Sequence, residues 1–357
     1  MFKFVFSATC LLILFNGSLF SQATRFSYSE SERYQFEAKT SMTPNYIIHI
    51  ATLGGLIDNP TYQQKYASML KPQFKKLITD NSEFLNFNSL TPHPMAVLLV
   101  CVPICMEARN PQGYLDYFPD LKKAIETANY TEFWKKYGDK VDWNDNTLAI
   151  GKNFLTKFNE QDKKKWAKLT FDVSMVYAHN AADYKREFLE DEDKNRMDEA
   201  VLDLYNVIDG NTIIRNWEKI ANRNYLGRGY RAFLVNTLEG YNYPVMVAYN
   251  TDIFLYNQSK EWIEQTASHQ IGRRVLDYFH DTFKKQYTKN PKYFEDCFNA
   301  LITYYNLKVL NKSELVYECL PQINNKEKLI AALQAKTAEN PDLTPEDLMK
   351  YLLEMQK

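Results

Sequence analysis

The spacing of apolar residues is helical through the first half of the chain. From residue 44 onward they recur every three or four positions, which is the period of a helix with one buried face. The pattern predicts helices over 47–53, 66–77, 96–106, 114–127 and 131–137. We therefore expect residues 44–165 to form a helical N-terminal part.

The period shortens in the middle of the chain. Apolar and polar residues alternate over 168–177, 230–238 and 245–256, as they do in half-buried strands. The segment EGYNYP between the last two contains glycine, asparagine and proline, which favour a turn. These segments predict a small sheet, mixed or antiparallel, within an α+β part that covers residues 166–310.

Helical spacing returns after the predicted sheet. A long helix is expected over 259–285, with Ser259 as its N-cap. Further helical patterns follow at 291–309, 326–335 and 343–354. The predicted fold class is therefore α+β, helix-rich at both ends, with C-terminal helices over 311–357.

The first 21 residues have the order of a secretory signal peptide. Lys3 precedes an apolar run to Phe15, and small and polar residues follow. The run is too short to cross a membrane, which takes about 20 apolar residues. Residues 22–43 are polar and are expected to be a flexible lead-in. We expect an exported protein, periplasmic or extracellular, that is soluble once the signal is removed.

The charge balance argues against nucleic-acid binding, and the cysteine spacing argues against a four-thiolate zinc site. Lys and Arg number 43 against 44 Asp and Glu, so the basic excess typical of nucleic-acid binding is absent. The cysteines after the predicted signal are Cys101, Cys105, Cys297 and Cys319. Export permits disulfides among them, in any of three pairings, although Cys101 and Cys105 are expected to be buried thiols. The C-x-x-C pairs of a four-thiolate zinc site are missing.

One face of the long predicted helix carries ionisable side chains. In the stretch TASHQIGR, His269 and Arg273 stand one turn apart and share a stripe with Trp262 and His280. A spacing of four residues lets two side chains reach one ion. In an unbroken helix His280 would lie about 16 Å along the axis from His269, so we expect it to lie outside any metal site that contains His269.

The order of these elements resembles a known class of enzymes. Strand, turn, strand, a helix with H-Q-x-x-R at 269–273 and a later helix with FEDCFNA at 294–300 look like the catalytic half of gluzincin-type zinc metallopeptidases. More narrowly, the sequence is similar to a family of uncharacterised secreted bacterial proteins with H-E-F-x-H followed by N-E-x-x-x-R-A. The similarity covers about residues 200–310 and implies a zincin-like fold.

The resemblance also implies a role for each matching position. In that class two histidines and a later glutamate bind zinc, and a glutamate beside the first histidine is the general base. The matching positions are His269 for the first ligand, Gln270 for the base, Arg273 for the second histidine, Glu295 for the third ligand and Asn299 for an arginine. Two of these replacements decide what the site can do.

The replacements remove the chemistry that hydrolysis needs. Gln270 cannot act as a general base, and Arg273 has no lone pair to give a metal. We expect no catalytic residue and no zinc, only a vestigial site made of His269, Gln270, Arg273 and Glu295. A sharper hypothesis is that the Arg273 guanidinium takes the place of the metal and pairs with Glu295. In that hypothesis His269 and Gln270 hydrogen-bond nearby.

Three functions are compatible with these residues. The first is a catalytically inactive metallopeptidase relative, a pseudoenzyme, that binds a peptide or protein along an edge strand at 245–256. The second is an active hydrolase with a non-standard site that uses His269 and Glu295 as acid and base. The third is a structural or surface-interaction protein without an active cleft, in which the cluster is a satisfied group of polar side chains.

Overall fold

The computed structural model describes residues 24–25, 35–89, 91–106, 111–188, 191–205, 208–226, 229–312 and 323–355. The predicted signal peptide, residues 1–21, lies outside these ranges, and so does Cys319. Cys101, Cys105 and Cys297 are buried thiols. Among the described residues, no helix combines the length and the apolar character needed to cross a membrane.

The strands of the described chain form one mixed sheet. They are β1 (Thr24–Arg25), β2 (Gln35–Lys39), β3 (Gly229–Val235), β4 (Val245–Ala248) and β5 (Thr251–Leu255), in the spatial order β1-β2-β3-β5-β4. β2, β3 and β5 run parallel, whereas β1 and β4 are antiparallel edge strands. The predicted α+β class with a small mixed sheet is confirmed.

Helices make up most of the remaining described residues. Those between β2 and β3 are α1 (Met42–Leu53), α2 (Pro60–Lys65), α3 (Pro72–Asp80), α4 (Ser82–Leu85), α5 (Pro94–Ala96), α6 (Val102–Cys105), α7 (Pro111–Leu115), α8 (Tyr117–Thr127), α9 (Thr131–Tyr137), α10 (Asn146–Leu155), α11 (Glu160–Phe188), α12 (Asp191–Tyr205) and α13 (Gly210–Ala221). Those after β5 are α14 (Lys260–Val275), α15 (Phe279–Thr282), α16 (Lys284–Lys289), α17 (Pro291–Leu310), α18 (Lys326–Glu339) and α19 (Pro345–Glu354). A turn of π-helix, Val97–Cys101, joins α5 to α6.

Both faces of the sheet are buried, each in a different hydrophobic core. Phe233 and Val235 on β3 and Ile253 on β5 belong to the N-terminal core, which the sheet forms with α1 to α11. Their neighbours Leu234 and Phe254 belong to the C-terminal core, formed with α12 to α14 and α17 to α19. Because successive side chains of a strand point to opposite faces, one sheet supports two cores.

The strand predicted at 168–177 is wrong, because these residues lie inside the 29-residue helix α11. Its buried side chains include Trp166, Leu169, Thr170, Val173, Val176 and Tyr177, which recur at i, i+3, i+4, i+7, i+10 and i+11. That is helical spacing, and it becomes visible only over a window longer than the ten residues that suggested a strand. α11 packs in the N-terminal core, so the boundary predicted at 165/166 falls within one helix.

β2 comes from the segment predicted to be a flexible lead-in, 22–43. It pairs in parallel with β3, and Phe36 and Ala38 are fully buried in the C-terminal core. The polar composition that suggested a loose segment includes Glu37 and Lys39, which form an ion pair with each other at 3.0 Å. A strand inside the sheet can therefore contain charged residues when they are paired with each other.

The other two predicted strands are present with shorter bounds. The range 230–238 contains most of β3, and 245–256 contains both β4 and β5. Tyr249 and Asn250 form the turn between β4 and β5. The strand predicted over 245–256 is therefore a hairpin of β4 and β5, and β5 pairs with β3.

The helix predicted over 259–285 is divided into α14, α15 and α16. α14 ends at Val275, and Leu276 leaves the helical conformation with φ −100° and ψ 8°. Leu276, Phe279 and Phe283 are all buried in the C-terminal core. The break after Val275 therefore separates α14 from α15 and α16, while all three side chains stay in the C-terminal core.

Candidate functional site

α14 carries the residues singled out in the sequence and lies between the sheet and α17. It begins after Ser259, whose side-chain oxygen accepts the backbone N–H of Trp262 at 3.1 Å, as predicted for an N-cap. Near this end, Asn306 of α17 donates to the backbone oxygen of Gln265 at 2.8 Å. α14 and α17 therefore pack side by side, with polar contacts along their shared face.

Arg273 pairs with Glu295 near the other end of this interface. Its Nη2 donates to Glu295 Oε2 at 3.0 Å, and its Nη1 donates to Asn299 Oδ1 at 3.1 Å. The two charged side chains are 21% and 31% exposed, so solvent screens the pair only in part. The predicted ion pair between Arg273 and Glu295 is confirmed.

His280 joins the same cluster, although it was expected to lie outside a metal site that contains His269. Its Nε2 lies 2.9 Å from Glu295 Oε1, and its Nδ1 lies 3.1 Å from the backbone oxygen of Asp277. The helix breaks after Val275, and His280 reaches Glu295 from the next short helix, α15. Both carboxylate oxygens of Glu295 are therefore engaged, one by Arg273 and one by His280.

The pKa of Glu295 reflects these two partners. Burial alone would raise it, but the hydrogen bond with His280 and the charge of Arg273 outweigh burial and leave the pKa below its ordinary value. Glu295 therefore remains a carboxylate, held between two basic side chains.

His269 does not take part in this cluster. It is fully buried, and neither of its ring nitrogens has a hydrogen-bond partner within the described chain. Burial, and next the charge of Arg273, lower its pKa to about 3, so the imidazole is neutral. The hydrogen bond predicted for His269 near the ion pair is wrong. Gln270, its neighbour on α14, is half-buried.

The acid and base pair of the hydrolase hypothesis is therefore not assembled. Glu295 contacts Arg273 and His280, whereas His269 contacts neither Glu295 nor solvent. A general base has to reach the proton it removes. The geometry does not support hydrolysis by His269 and Glu295.

A second ion pair, which sequence reasoning missed, fixes α14 to the sheet. Arg274 Nη2 donates to Asp252 Oδ1 at 2.7 Å and to the backbone oxygen of Ala248 at 3.2 Å. Tyr230 donates its hydroxyl to the other oxygen of Asp252. The side chains of Arg274 and Asp252 are 1% and 0% exposed. The aspartate in the apolar strand TDIFL could have indicated this ion pair, because a buried carboxylate needs a partner.

Close packing also fixes the position of α14 against α13. Trp217 donates from Nε1 to Ser268 Oγ at 3.0 Å. A Cβ at Gly272 would lie 2.3 Å from Trp217 Cζ2, so only glycine fits under the indole at this position. The register of α14, and with it the direction of Arg273, is set by α13 on one side and by the sheet on the other.

The residues present do not fit the zinc that the resemblance implies. A guanidinium lies against Glu295, where a third ligand would bind metal, and His269 is enclosed. Within the described residues, no group of three His, Cys, Asp or Glu side chains could hold a metal ion. Arg273 is a permanent cation, which repels a second cation at the same carboxylate.

The edge strand predicted to hold a partner is shorter than expected and is covered. Of the range 245–256, only β4 lies at an edge, because β5 lies inside the sheet. The backbone N–H of Met246 donates to Asn88 Oδ1 at 3.0 Å. Val245, Val247 and Ala248 are 0%, 1% and 0% exposed. The predicted partner position is therefore confined to β4 and is occupied by the chain itself.

Comparison with known proteins gives no match, whether with family models, with curated proteins or with solved structures.

Proposed function

We propose that the protein is an exported, zincin-like pseudoenzyme that acts by binding a peptide or a protein. The ion pair between Arg273 and Glu295 carries the proposal. A guanidinium offers positive charge to the carboxylate but no coordination position and no activated water. The cluster can therefore hold α14 and α17 together while it lacks the means to cleave a peptide bond.

The order of elements around the cluster supports the zincin-like part of the proposal. β3, β4 and β5 directly precede α14, with β4 antiparallel at the edge. α17 then packs against α14 and brings Glu295 to Arg273. These are the elements, in the same chain order, on which the resemblance rests.

An extended peptide is the partner that suits this architecture. Peptides add to an edge strand by pairing with its outward N–H and C=O groups. β4 is such an edge, and its N–H at Met246 is bonded to a side chain, Asn88, rather than to another strand. The proposed peptide would replace that contact.

Metal analysis and a peptidase assay on the purified full chain test the proposal. We expect the wild-type protein to retain no stoichiometric zinc after dialysis and to cleave none of a mixture of fluorogenic peptides. The double variant Q270E/R273H removes the Arg273 guanidinium. It adds a histidine that can bind a metal and a glutamate that can act as a general base. It is expected to retain more zinc than the wild type.

The matched control is the single variant Q270E, which keeps the ion pair of Arg273 with Glu295. It is expected to retain as little zinc as the wild type, because the guanidinium still occupies the carboxylate. Stoichiometric zinc in the wild-type protein would contradict the proposal, as would peptide cleavage that a chelator abolishes.

A further inference from the structure

An exposed lysine near the start of α11 lies in a corner between two aromatic rings. The Lys165 ammonium is 4.0 Å from the centre of the Phe84 ring and 4.2 Å from the centre of the Trp166 ring. The two rings meet at an angle of 79°, with their centres 5.1 Å apart. Because the face of an aromatic ring attracts positive charge, both rings stabilise a cation in this corner.

A third ring, His93, lies against the other two without adding a charge. Its centre is 5.1 Å from that of Phe84 and 5.6 Å from that of Trp166. Its Nδ1 accepts the backbone N–H of Met95 at 3.1 Å. Burial, and next the charge of Lys165, lower the pKa of His93 below its ordinary value. The imidazole is therefore neutral and does not repel a cation in the corner.

The charged side chains near the corner also permit a cation there. Lys163 pairs with Glu160, and Lys168 pairs with Asp172, so acidic partners balance these neighbouring lysines of α11. The exposed Glu83 is near enough to the third ring for its charge to oppose the lowering of that pKa. A carboxylate beside the rings adds to their attraction for positive charge.

We propose that the corner of Phe84, Trp166 and His93 is a binding site for a quaternary ammonium group, which Lys165 fills in the free protein. Aromatic rings around a cation are the arrangement that recognises such groups. Lys165 is exposed, and its flexible four-carbon stem lets the ammonium leave by side-chain rotation alone. The site therefore opens without any movement of the backbone, and it is independent of peptide binding at β4.

Titration of the full chain with tetramethylammonium, followed by proton NMR, tests the site. The methyl resonance is expected to shift upfield on binding, because a ring current shields protons that lie over a ring face. Lys165→Ala removes the competing ammonium and is expected to bind about tenfold more tightly than the wild type.

Lys164→Ala is the matched control, because Lys164 is an exposed lysine beside Lys165. The control removes the same charge from α11 but leaves the Lys165 ammonium over the rings. It is expected to bind tetramethylammonium as the wild type does. Binding by Lys165→Ala that is no tighter than binding by Lys164→Ala would overturn the site.

A double variant, Lys165→Ala with Phe84→Leu, tests where the ligand binds. Leucine keeps an apolar side chain at the half-buried position 84 but removes one ring face. Both the upfield shift and the gain in affinity should then be lost, and thermal unfolding checks that the fold is retained. An upfield shift that persists in the folded double variant would overturn the site, because the ligand would lie elsewhere. The comparison of the two lysine variants does not depend on the folding of this variant.

Two further ligands distinguish the sources of a quaternary ammonium group, which occurs in free choline and in phosphatidylcholine headgroups. Tighter binding of choline by Lys165→Ala, without sedimentation on phosphatidylcholine vesicles, would assign the site to a free solute. Sedimentation on these vesicles but not on phosphatidylglycerol vesicles would assign it to the headgroup. Binding of neither ligand would overturn the assignment to this class of ligand.

Discussion

His269 is buried as a neutral imidazole. It is fully buried, and burial together with the charge of Arg273 lowers its pKa to about 3. In the unfolded chain a histidine has a pKa of about 6.5. As the pH falls below that value, the unfolded chain takes up a proton at this position that the folded protein does not. Stability therefore decreases with falling pH, until the pH reaches the folded pKa.

Replacing His269 with leucine is expected to flatten this pH dependence. Between pH 7 and pH 5 the wild type should lose about 2 kcal/mol more of its free energy of unfolding than His269→Leu does. Urea unfolding at several pH values measures the difference. His49 is also buried, with a pKa lowered to about 3 by burial, so part of the pH dependence should remain in the variant.

The control for this prediction is His179→Gln, at an exposed position on α11. Its free energy of unfolding should follow the wild-type pH dependence. Parallel curves for His269→Leu and the wild type would show that His269 takes up its proton equally in both states, which would contradict its burial as a neutral side chain.

The contact between Arg273 and Glu295 could be predicted from the sequence, whereas the contact between His280 and Glu295 could not. Arg273 and Glu295 could be paired because a spacing of four residues set the face of α14 and the resemblance indicated the second helix. His280 could not be placed, since its position follows a break in the helix after Val275 that the local pattern does not indicate. The pair of Arg274 with Asp252 depends on which strand lies under α14, and one sequence does not show that.

At the scale of elements, the contact of α13 with α14 tolerates little change. Gly272→Ala would place a methyl group 2.3 Å from Trp217 Cζ2, and both residues of this contact are buried. Because the indole is buried and hydrogen-bonded to Ser268, it cannot move aside freely. We expect a loss of about 3 kcal/mol or more in the free energy of unfolding.

The double variant Gly272→Ala with Trp217→Leu tests the cause of this loss. The smaller leucine makes room for the methyl group, so adding the Gly272 change to Trp217→Leu should cost clearly less than adding it to the wild type. Urea unfolding of the four proteins gives the coupling energy. Equal costs in both backgrounds would mean that the contact with Trp217 is not what excludes alanine.

Element types were predicted best where the pattern was long or was bounded by turn residues. β3 and the hairpin of β4 and β5 were found because turn residues lie at their ends. The start of α14 was found from its N-cap, Ser259. α11 was misread in part because ten residues of a helix can alternate by chance. β2 was missed because it joins the sheet through pairing with a strand about 190 positions away, which local patterns do not encode.

At the scale of the molecule, the sheet joins the two cores. Phe233 on β3 belongs to the N-terminal core and Phe254 on the neighbouring strand β5 to the C-terminal core. The two strands pair directly, with Leu234 opposite Phe254. A loss of packing on one face therefore loosens the strands on which the other core is built, and we expect both cores to unfold together.

Matched substitutions on the two faces test this coupling. Phe233→Ala and Phe254→Ala each remove a fully buried ring and should each lower the free energy of unfolding by about 3 to 5 kcal/mol. Native-state hydrogen exchange should then accelerate by the same factor in the most protected amides of α11, in the N-terminal core, and of α17, in the C-terminal core. Phe171→Ala is the control, because Phe171 is 49% exposed and its loss should change exchange little. Acceleration confined to the core that lost its ring would show that the cores unfold separately, and the sheet would then connect them without coupling them.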